Sequence, residues 1–507
     1  MFFALIETQG NQRYIFSSNR EKAVRGASEL LFRSTTDWVI DAVTATHRSR
    51  SLDERAEWIR SQAPVGDGVH VVVATSGRAV LVAPDRSSLA GVISSVTARA
   101  LREAPGLTIT GAVVELDIDT PRGFDDAFHR ARTRLGANAT MQQPAVARHP
   151  LRPAMRPCDE TGLAATHHDG VKNRWVSAQF HSQVSATVSS RRRLSGSTAV
   201  LADNVDDVVG ERSWRAVVHA DGNGVGRIFS DLVSLFAPDR LGAREGNLNH
   251  IEGYRELSLE LERATEEAFA EALTLEGLPD GAVMPILLGG DDIIAQVAAA
   301  WAVPFTRGYL AAFERTTAAA GAVVARYSRS ADAVPPRHFT ACAGVAVVKA
   351  HFPFGPAADL AEALLDSAKT AKDSGRVSAL DFHVSYDSTS SDLDTLRERR
   401  TAADGLRLWG GPYVLAGSTE VGTAVARLDA ACGALLVGGS GTQVHAMREA
   451  ARVGDVRLAT ALDNAIAVSG GGPRTDALRT LAEVVDNRVL LLDALELDDI
   501  ERKAGSR

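Results

Sequence analysis

Apolar positions in the N-terminal quarter of the chain switch between a period near two and a period near 3.6 residues. "FFALIETQ" (2–9) reads as a strand, and "NREKAVRGASELLFRSTTDWVIDAV" (19–43) has the i, i+3, i+4 spacing of a helix. "VHVVVATSGRAVLVAP" (69–84) places two apolar runs on either side of a Ser-Gly pair, which predicts a hairpin. A second helical stretch, "LAGVISSVTARALREA" (89–104), precedes a closing strand, "LTITGAVVELDI" (107–118). The order β-α-β-β-α-β is that of a split ferredoxin-like unit.

The same order returns later. "WRAVVHADGNGVGRIF" (214–229) opens as a strand, and "YRELSLELERATEEAFAEAL" (254–273) is helical. "AVMPILLGGDDIIAQVA" (282–298) predicts strand, turn and strand. A helix over 303–327, a buried strand in "HFTACAGVAVVKA" (338–350) and a helix in "AADLAEALLDSAKTAKDSG" (357–375), stopped by Gly375, complete the set. The predicted class is α+β, with two ferredoxin-like βαββαβ domains at 1–125 and 213–390. A weakly patterned connector, 126–212, separates them, and an α-helical C-terminal domain follows at 391–507.

Composition narrows the function. The 507 residues are 45% apolar and 23% charged with a net charge of -8, which excludes a disordered chain and a broadly basic nucleic-acid surface. The basic run "SSRRRLSGS" (189–197) reads as a solvated loop, with a local RNA or phosphate contact as the other option. Cys158, Cys342 and Cys432 are scattered and odd in number, which fits a reducing cytoplasm better than a disulfide framework. The N-terminus lacks the basic region of a signal peptide, and no apolar stretch is long enough for a membrane span. A cytoplasmic protein without membrane partners is expected.

The chemistry gathers in the second unit. Asp221 stands at the end of an apolar strand, followed by Gly222, Asn223, Gly224 and Gly226. Glycines permit left-handed backbone and close ligand approach, and successive amides can cradle phosphate. Such turns are common, so the second motif decides. "GGDD" puts Asp291 and Asp292 at a hairpin tip that the split topology sets beside the end of the first strand. Neighbouring carboxylates repel unless protonated or bridged by a cation. An oxygen-rich set suits Mg²⁺ or Mn²⁺, and two such ions about 3.5–4 Å apart activate a hydroxyl and stabilise a leaving pyrophosphate. Gly289 and Gly290 leave space for a nucleotide. The alternative is a solvated acidic tip. Lys369 and Lys372, spaced to share a helix face, and Lys349 at the end of the preceding strand are candidates for phosphate contact, with surface solubility as the plain reading of Lys349 and Lys372.

"DGNGVG", "LLGGDD", "CAGVAVVKAHFPF" and "LAEALLDSAKTAKDSGRVSALDFHV" resemble the catalytic palm of the large subunit of type III CRISPR effector complexes, a family related to GGDEF cyclases and palm polymerases. "YIFSSNREKAVRGASELL" is similar to that family's first palm, and the helical C-terminus to its last domain. The resemblance implies conversion of ATP into cyclic oligoadenylates in antiviral defence. Asp221, Asp291 and Asp292 would hold the metals, and Asp292 could assist proton removal. Gly222, Asn223, Gly224, Gly289 and Gly290 would shape the nucleotide pocket, with Ser230 near base or phosphate. Other effector subunits and guide or target RNA are implied partners, and a homo-oligomer is possible.

The chain departs from that family's pattern in three places. No His-Asp nuclease domain is seen, so the expectation is a compact relative. The first unit has "ATSGRAV" (74–80) where the second has "LGGDDII", and is expected to be catalytically silent. The paired CxxC motifs of a zinc ribbon are missing, and Cys158, His167 and His168 supply too few ligands at an unconvincing spacing. Two further readings stay open: a cyclic dinucleotide synthase using GTP or mixed nucleotides, and a nucleotide- or RNA-binding scaffold without turnover.

Overall fold

The computed structural model describes residues 1–141, 154–194, 201–202, 208, 214–236, 241–329, 335–386, 392–401, 405–416, 421–438, 447, 455–469, 471–484 and 486–503. The N-terminal sheet contains β1 (Phe2–Gln9), β2 (His70–Thr75), β3 (Arg78–Ala83) and β4 (Thr108–Glu115) in the order β2-β3-β1-β4. β1 is apolar on both faces because it lies between β3 and β4 and is covered on each side. Helix α1 (Asn11–Ile15) follows β1 directly, then α2 (Glu21–Thr35). The helix at Arg86–Glu103 packs on the same sheet. A further helix, Gly123–Met141, also belongs there, with Phe124 and Phe128 edge-on to Phe3 of β1. The domain boundary expected at 125 therefore falls inside an element of the first unit.

The connector forms a two-stranded hairpin, β5 (Ala165–Asp169) with β6 (Arg174–Ser177), and a helix, Ala178–Leu194, laid against α2. The crossing is close: a Cβ at Gly26 would sit 1.6 Å from the Gln183 carbonyl oxygen. Gln183 donates to the Tyr14 carbonyl at 3.0 Å, and Thr187 to that of Lys22 at 2.7 Å. The described part of the basic run is helical rather than a loop, since Arg193 turns inward to Glu29 at 2.9 Å and lies 4.0 Å over the Phe32 ring. Residues 195–197 of that run lie outside the described residues.

The second sheet repeats the first. β7 (Trp214–Gly222), β8 (Val283–Gly289), β9 (Asp292–Ala298) and β10 (Ala341–Lys349) run β8-β9-β7-β10, the same arrangement as β2-β3-β1-β4. Three further strands extend it to seven: β11 (Ala379–Val384), parallel to β10, then the short β12 (Tyr413–Val414) and β13 (Thr423–Ala424). The last two come from the segment expected to be purely helical. They are two residues long, too short for a periodicity to register. Helix α3 (Ala243–Ala272) touches both β2 and β8, and so ties the two sheets together. Helix α4 (Phe354–Lys369) lies on β10, where a Cβ at Gly344 would meet the Ala361 carbonyl oxygen at 2.0 Å. The C-terminal helices, among them Val425–Gly438 and Leu491–Lys503, attach through Arg400–Glu496 at 2.7 Å and a Tyr413–Asp493 hydrogen bond. No described helix is long and apolar enough to cross a membrane.

Candidate active site

β7 ends where the acidic residues begin. Its antiparallel register with β9 sets Asp221 directly opposite Asp292, and the β8–β9 register closes the hairpin on the pair Gly289 and Asp292. Gly290 and Asp291 are then the two turn residues. Gly290 has φ +66°, a value that glycine reaches without the Cβ penalty, as a turn with glycine first requires. The tip is held from two sides. Thr265 of α3 donates its hydroxyl to the Gly290 carbonyl at 2.6 Å, and the Gly222 amide donates to the Asp291 carbonyl at 3.1 Å. Gly222 makes room for the second aspartate, since a Cβ there would lie 2.8 Å from Asp291 Oδ2.

Two cationic side chains meet this cluster. Lys369 Nζ, at the last residue of α4, lies 2.6 Å from Asp221 Oδ2. His219, two residues before Asp221 on the same face of β7, places Nε2 3.0 Å from Asp292 Oδ1. Burial, then the charges of Asp221 and Asp292, push the Asp291 carboxyl up to about 8. Asp221 is also raised by burial, with Lys369 pulling back. Burial lowers Lys369, but its bond to Asp221 outweighs this and its net shift is upward. His219 behaves alike: burial lowers it, and Asp292, with Glu362 and Asp221, raises it further.

The hairpin tip faces a cavity of about 870 Å³ lined by both units. Gly289, Gly290, Asp291, Asp292 and Ser230 form one wall, and Thr75, Ser76, Gly77 and Arg78 of the β2–β3 turn form the other. The two turns nearly touch, since a Cβ at Gly289 would sit 2.9 Å from Ser76 Cβ. The volume is within the range of small-molecule sites.

Other expected residues lie elsewhere. Asn223 is buried with its amide on Thr340 Oγ1 at 2.9 Å and the Val377 carbonyl at 3.1 Å, so its side chain pins the loop to the sheet instead of facing a nucleotide. Gly224 supplies the left-handed bend, φ +69°, that starts the next helix. Lys372 is half-buried in the turn after α4, which ends at Lys369, so the two lysines do not share a helix face. Both still act on Cys342, which stands opposite Asp221 in the register. Lys349 is displaced from the site. It pairs with Trp214 at the far end of β7, seven residues of strand from Cys342, or roughly 23 Å. The cause is strand direction: β10 runs antiparallel to β7, so its C-terminal end points away from the aspartates. Cys158, His167 and His168 do not converge. Cys158 accepts the Glu160 and Thr161 amides at 3.4 Å, whereas His167 stacks on His181 and His168 meets Asn173. Among the described residues no group of three or more His, Cys, Asp or Glu side chains forms a ready metal-ligand set.

Residues 215–378 match the family described as Cas10/Cmr2, second palm domain. That segment is similar to a Cas10/Cmr2 palm. The resemblance read from the motifs is thereby borne out. The fold agrees over a wider span. The crystal structure of a Csm1–Csm4 cassette in complex with pppApApA is 12% identical, with a TM-score of 0.51, covering 98% of this chain and 69% of that one. An apo Csm1–Csm4 cassette is 13% identical, with the same 0.51 TM-score and 98% and 69% coverage. A cassette with AMPPNP matches over 74% of this chain at 12% identity and TM-score 0.41, and there the chain spans 54% of its counterpart. No curated protein sequence matches the chain.

Within the matched segment, reading the residues for chemistry missed His219 and Tyr309. His219 had a signal available: a histidine at i−2 from a strand-end aspartate shares its face. Tyr309 is fully buried on the helix Ala299–Thr316, its hydroxyl has no hydrogen-bond partner, and its proton is held tightly by burial and by the three aspartates. Nothing in its local sequence distinguishes it from the apolar residues around it.

Proposed function

We propose that this chain is a divalent-metal-dependent nucleotidyltransferase that joins ATP into cyclic oligoadenylate-type messengers as part of a type III CRISPR effector. The observation that carries this reading is the placement of Asp292 and the half-buried turn residue Asp291 on the wall of a nucleotide-sized cavity, with Asp221 directly opposite Asp292 in the strand register. Carboxylates that repel one another are unfavourable without a counter-charge, and the Asp291 carboxyl is pushed up to about 8 by burial and then by the charges of Asp221 and Asp292. The donor set is all oxygen, which fits Mg²⁺ or Mn²⁺. When bound, the ions would supply charge neutralisation at the phosphates and activation of the attacking hydroxyl.

The chain's own residues have separate tasks. Asp221, Asp291 and Asp292 would hold the ions. Lys369, whose ammonium rests on Asp221 in this structure, would offer that charge to a phosphate oxygen. Lys372 supports it from the next turn. Gly289 and Gly290 keep side chains away from the nucleotide, and Gly222 admits Asp291. Ser230, exposed on the helix Val225–Phe236 and bonded to the Gly226 carbonyl at 3.0 Å, lines the same cavity and can meet the base. The first palm, whose turn carries Ser76 and Gly77 in place of carboxylates, would close the cavity without acting on the substrate. The adenylate assignment is carried over from the Csm1–Csm4 cassette crystallised with pppApApA. Other effector subunits are the partners that the same carry-over suggests, and guide or target RNA is the partner that the family resemblance implies.

The test is incubation of the purified protein with each labelled NTP and Mg²⁺ or Mn²⁺, with and without effector subunits and target RNA. Products are resolved by mass, against an Asp291→Ala/Asp292→Ala variant. Cyclic adenylates from the wild type alone support the reading. Guanine-containing products would move it to a mixed cyclic dinucleotide synthase, and nucleotide binding without pyrophosphate release to a scaffold.

A further inference from the structure

A polar track runs beside the aspartates. On β7, Arg215, Val217, His219 and Asp221 occupy alternate positions facing the same side, with Val217 the one apolar residue among them. His219 Nε2 meets Asp292 Oδ1 at 3.0 Å, so one oxygen of that carboxylate is already fixed. Glu362 of α4 acts on the imidazole through its charge without a hydrogen bond to it, and a small crevice is walled by His219, Glu362 and Gln12. Gln12, from α1 of the first palm, donates Nε2 to both Glu362 oxygens at 3.0 Å. The crevice shares Gln12 and His219 with the main cavity.

We infer that His219 is a positioning residue for the metal site. It fixes the Asp292 carboxylate with one oxygen bound and the other free. The inference rests on the metal-dependent reading above. Its physical basis is the outer-shell rule: a ligating carboxylate works best when its second oxygen is already hydrogen-bonded, and loss of such a partner costs about 10–100-fold in metal affinity.

The experiment measures Mn²⁺ uptake by the loss of the free-ion EPR signal, in the presence of a non-hydrolysable ATP analogue. Wild type, Asp292→Ala, His219→Ala and His219→Gln are compared, with melting temperatures recorded for each. His219→Gln keeps an N–H at about the Nε2 position. The expected result is Mn²⁺ affinity about 10–100-fold weaker in His219→Ala at an unchanged melting temperature, and recovered to within a few-fold in His219→Gln. Wild-type affinity in His219→Ala overturns the role of His219 and leaves the metal site standing, as does an equal loss in the Ala and Gln variants. No Mn²⁺ uptake by the wild type, or full uptake by Asp292→Ala, overturns the metal reading itself.

Discussion

The contact between the two hairpin turns makes a sharp test of whether the palms meet as described. Gly289 closes one turn and Ser76 sits in the other, and a Cβ added at Gly289 would lie 2.9 Å from Ser76 Cβ and 3.6 Å from its hydroxyl oxygen, with no other atom within 4 Å. Real Cβ atoms do not come that close, so Gly289→Ala must push the turns apart. Ser76 cannot easily yield, because its neighbour Gly77 donates its amide to Thr35 Oγ1 at 2.9 Å and accepts from the Thr8 amide at 3.0 Å. Forcing one methyl into a fitted contact costs about 1–3 kcal/mol, partly offset by about 0.4–1 kcal/mol from the stiffer unfolded chain. Ser76→Gly alone removes two heavy atoms from a turn and should cost less than about 1 kcal/mol. The double variant has no clash left. Thermal or urea melting of wild type, both singles and the double should therefore give a favourable coupling of about 1–2 kcal/mol, within the range measured for touching residues. Nucleotide affinity should fall in Gly289→Ala and return in the double. Simple additivity of the two effects would refute the inter-palm contact.

Three further outcomes follow from the same geometry. Asp291 holds a proton up to about pH 8 when folded but releases it near pH 4 when unfolded, so the stability linked to it is present at low pH and lost as pH rises through about 8. In metal-free buffer, Asp291→Asn should flatten that decline and raise the melting temperature at pH 9 relative to wild type, as calorimetry would read. Lys369→Met should lower nucleotidyl transfer by about 10–100-fold, the worth of a charge-assisted hydrogen bond, whereas Lys349→Ala at the opposite end of the sheet should stay within about twofold. Gly344→Ala drives a methyl into the backbone of α4 at Ala361 and Leu365 and should cost about 3 kcal/mol or more, seen as loss of soluble protein or a lowered melting point.

The strands of both palms were legible because each carries an apolar run bounded by turn residues, and because a hairpin between two helices repeats at matching places. What the period could not show was continuation of the second sheet. β11 is buried on every residue and reads equally well as helix or strand from its pattern, and β12 and β13 are shorter than any detectable period. The basic run was misread for a related reason. Charge alone says solvent, but Arg193 has a buried glutamate and a phenylalanine face waiting for it across the helix pair. Those partners are more than 150 residues away in sequence.

The site divides along the same line. Asp221, Asp291 and Asp292 were legible because a run of carboxylates at strand ends has no cheap structural use. Lys349 was not, because a lysine at a strand's end says nothing about which end of the sheet that is; only the antiparallel register does. The deeper omission concerns charge balance. Three aspartates whose charges act on one another need compensation in every state of the protein, not only when metal is present. Lys369 on Asp221 and His219 on Asp292 provide it, and the remaining carboxylate, Asp291, meets the deficit by holding a proton. A divalent ion entering this site would thus displace an ammonium and a proton together. Metal affinity should therefore be higher at higher pH, and higher still once a triphosphate offers the displaced Lys369 a new partner. The coupling between nucleotide and metal would then arise from where one lysine rests when both are gone.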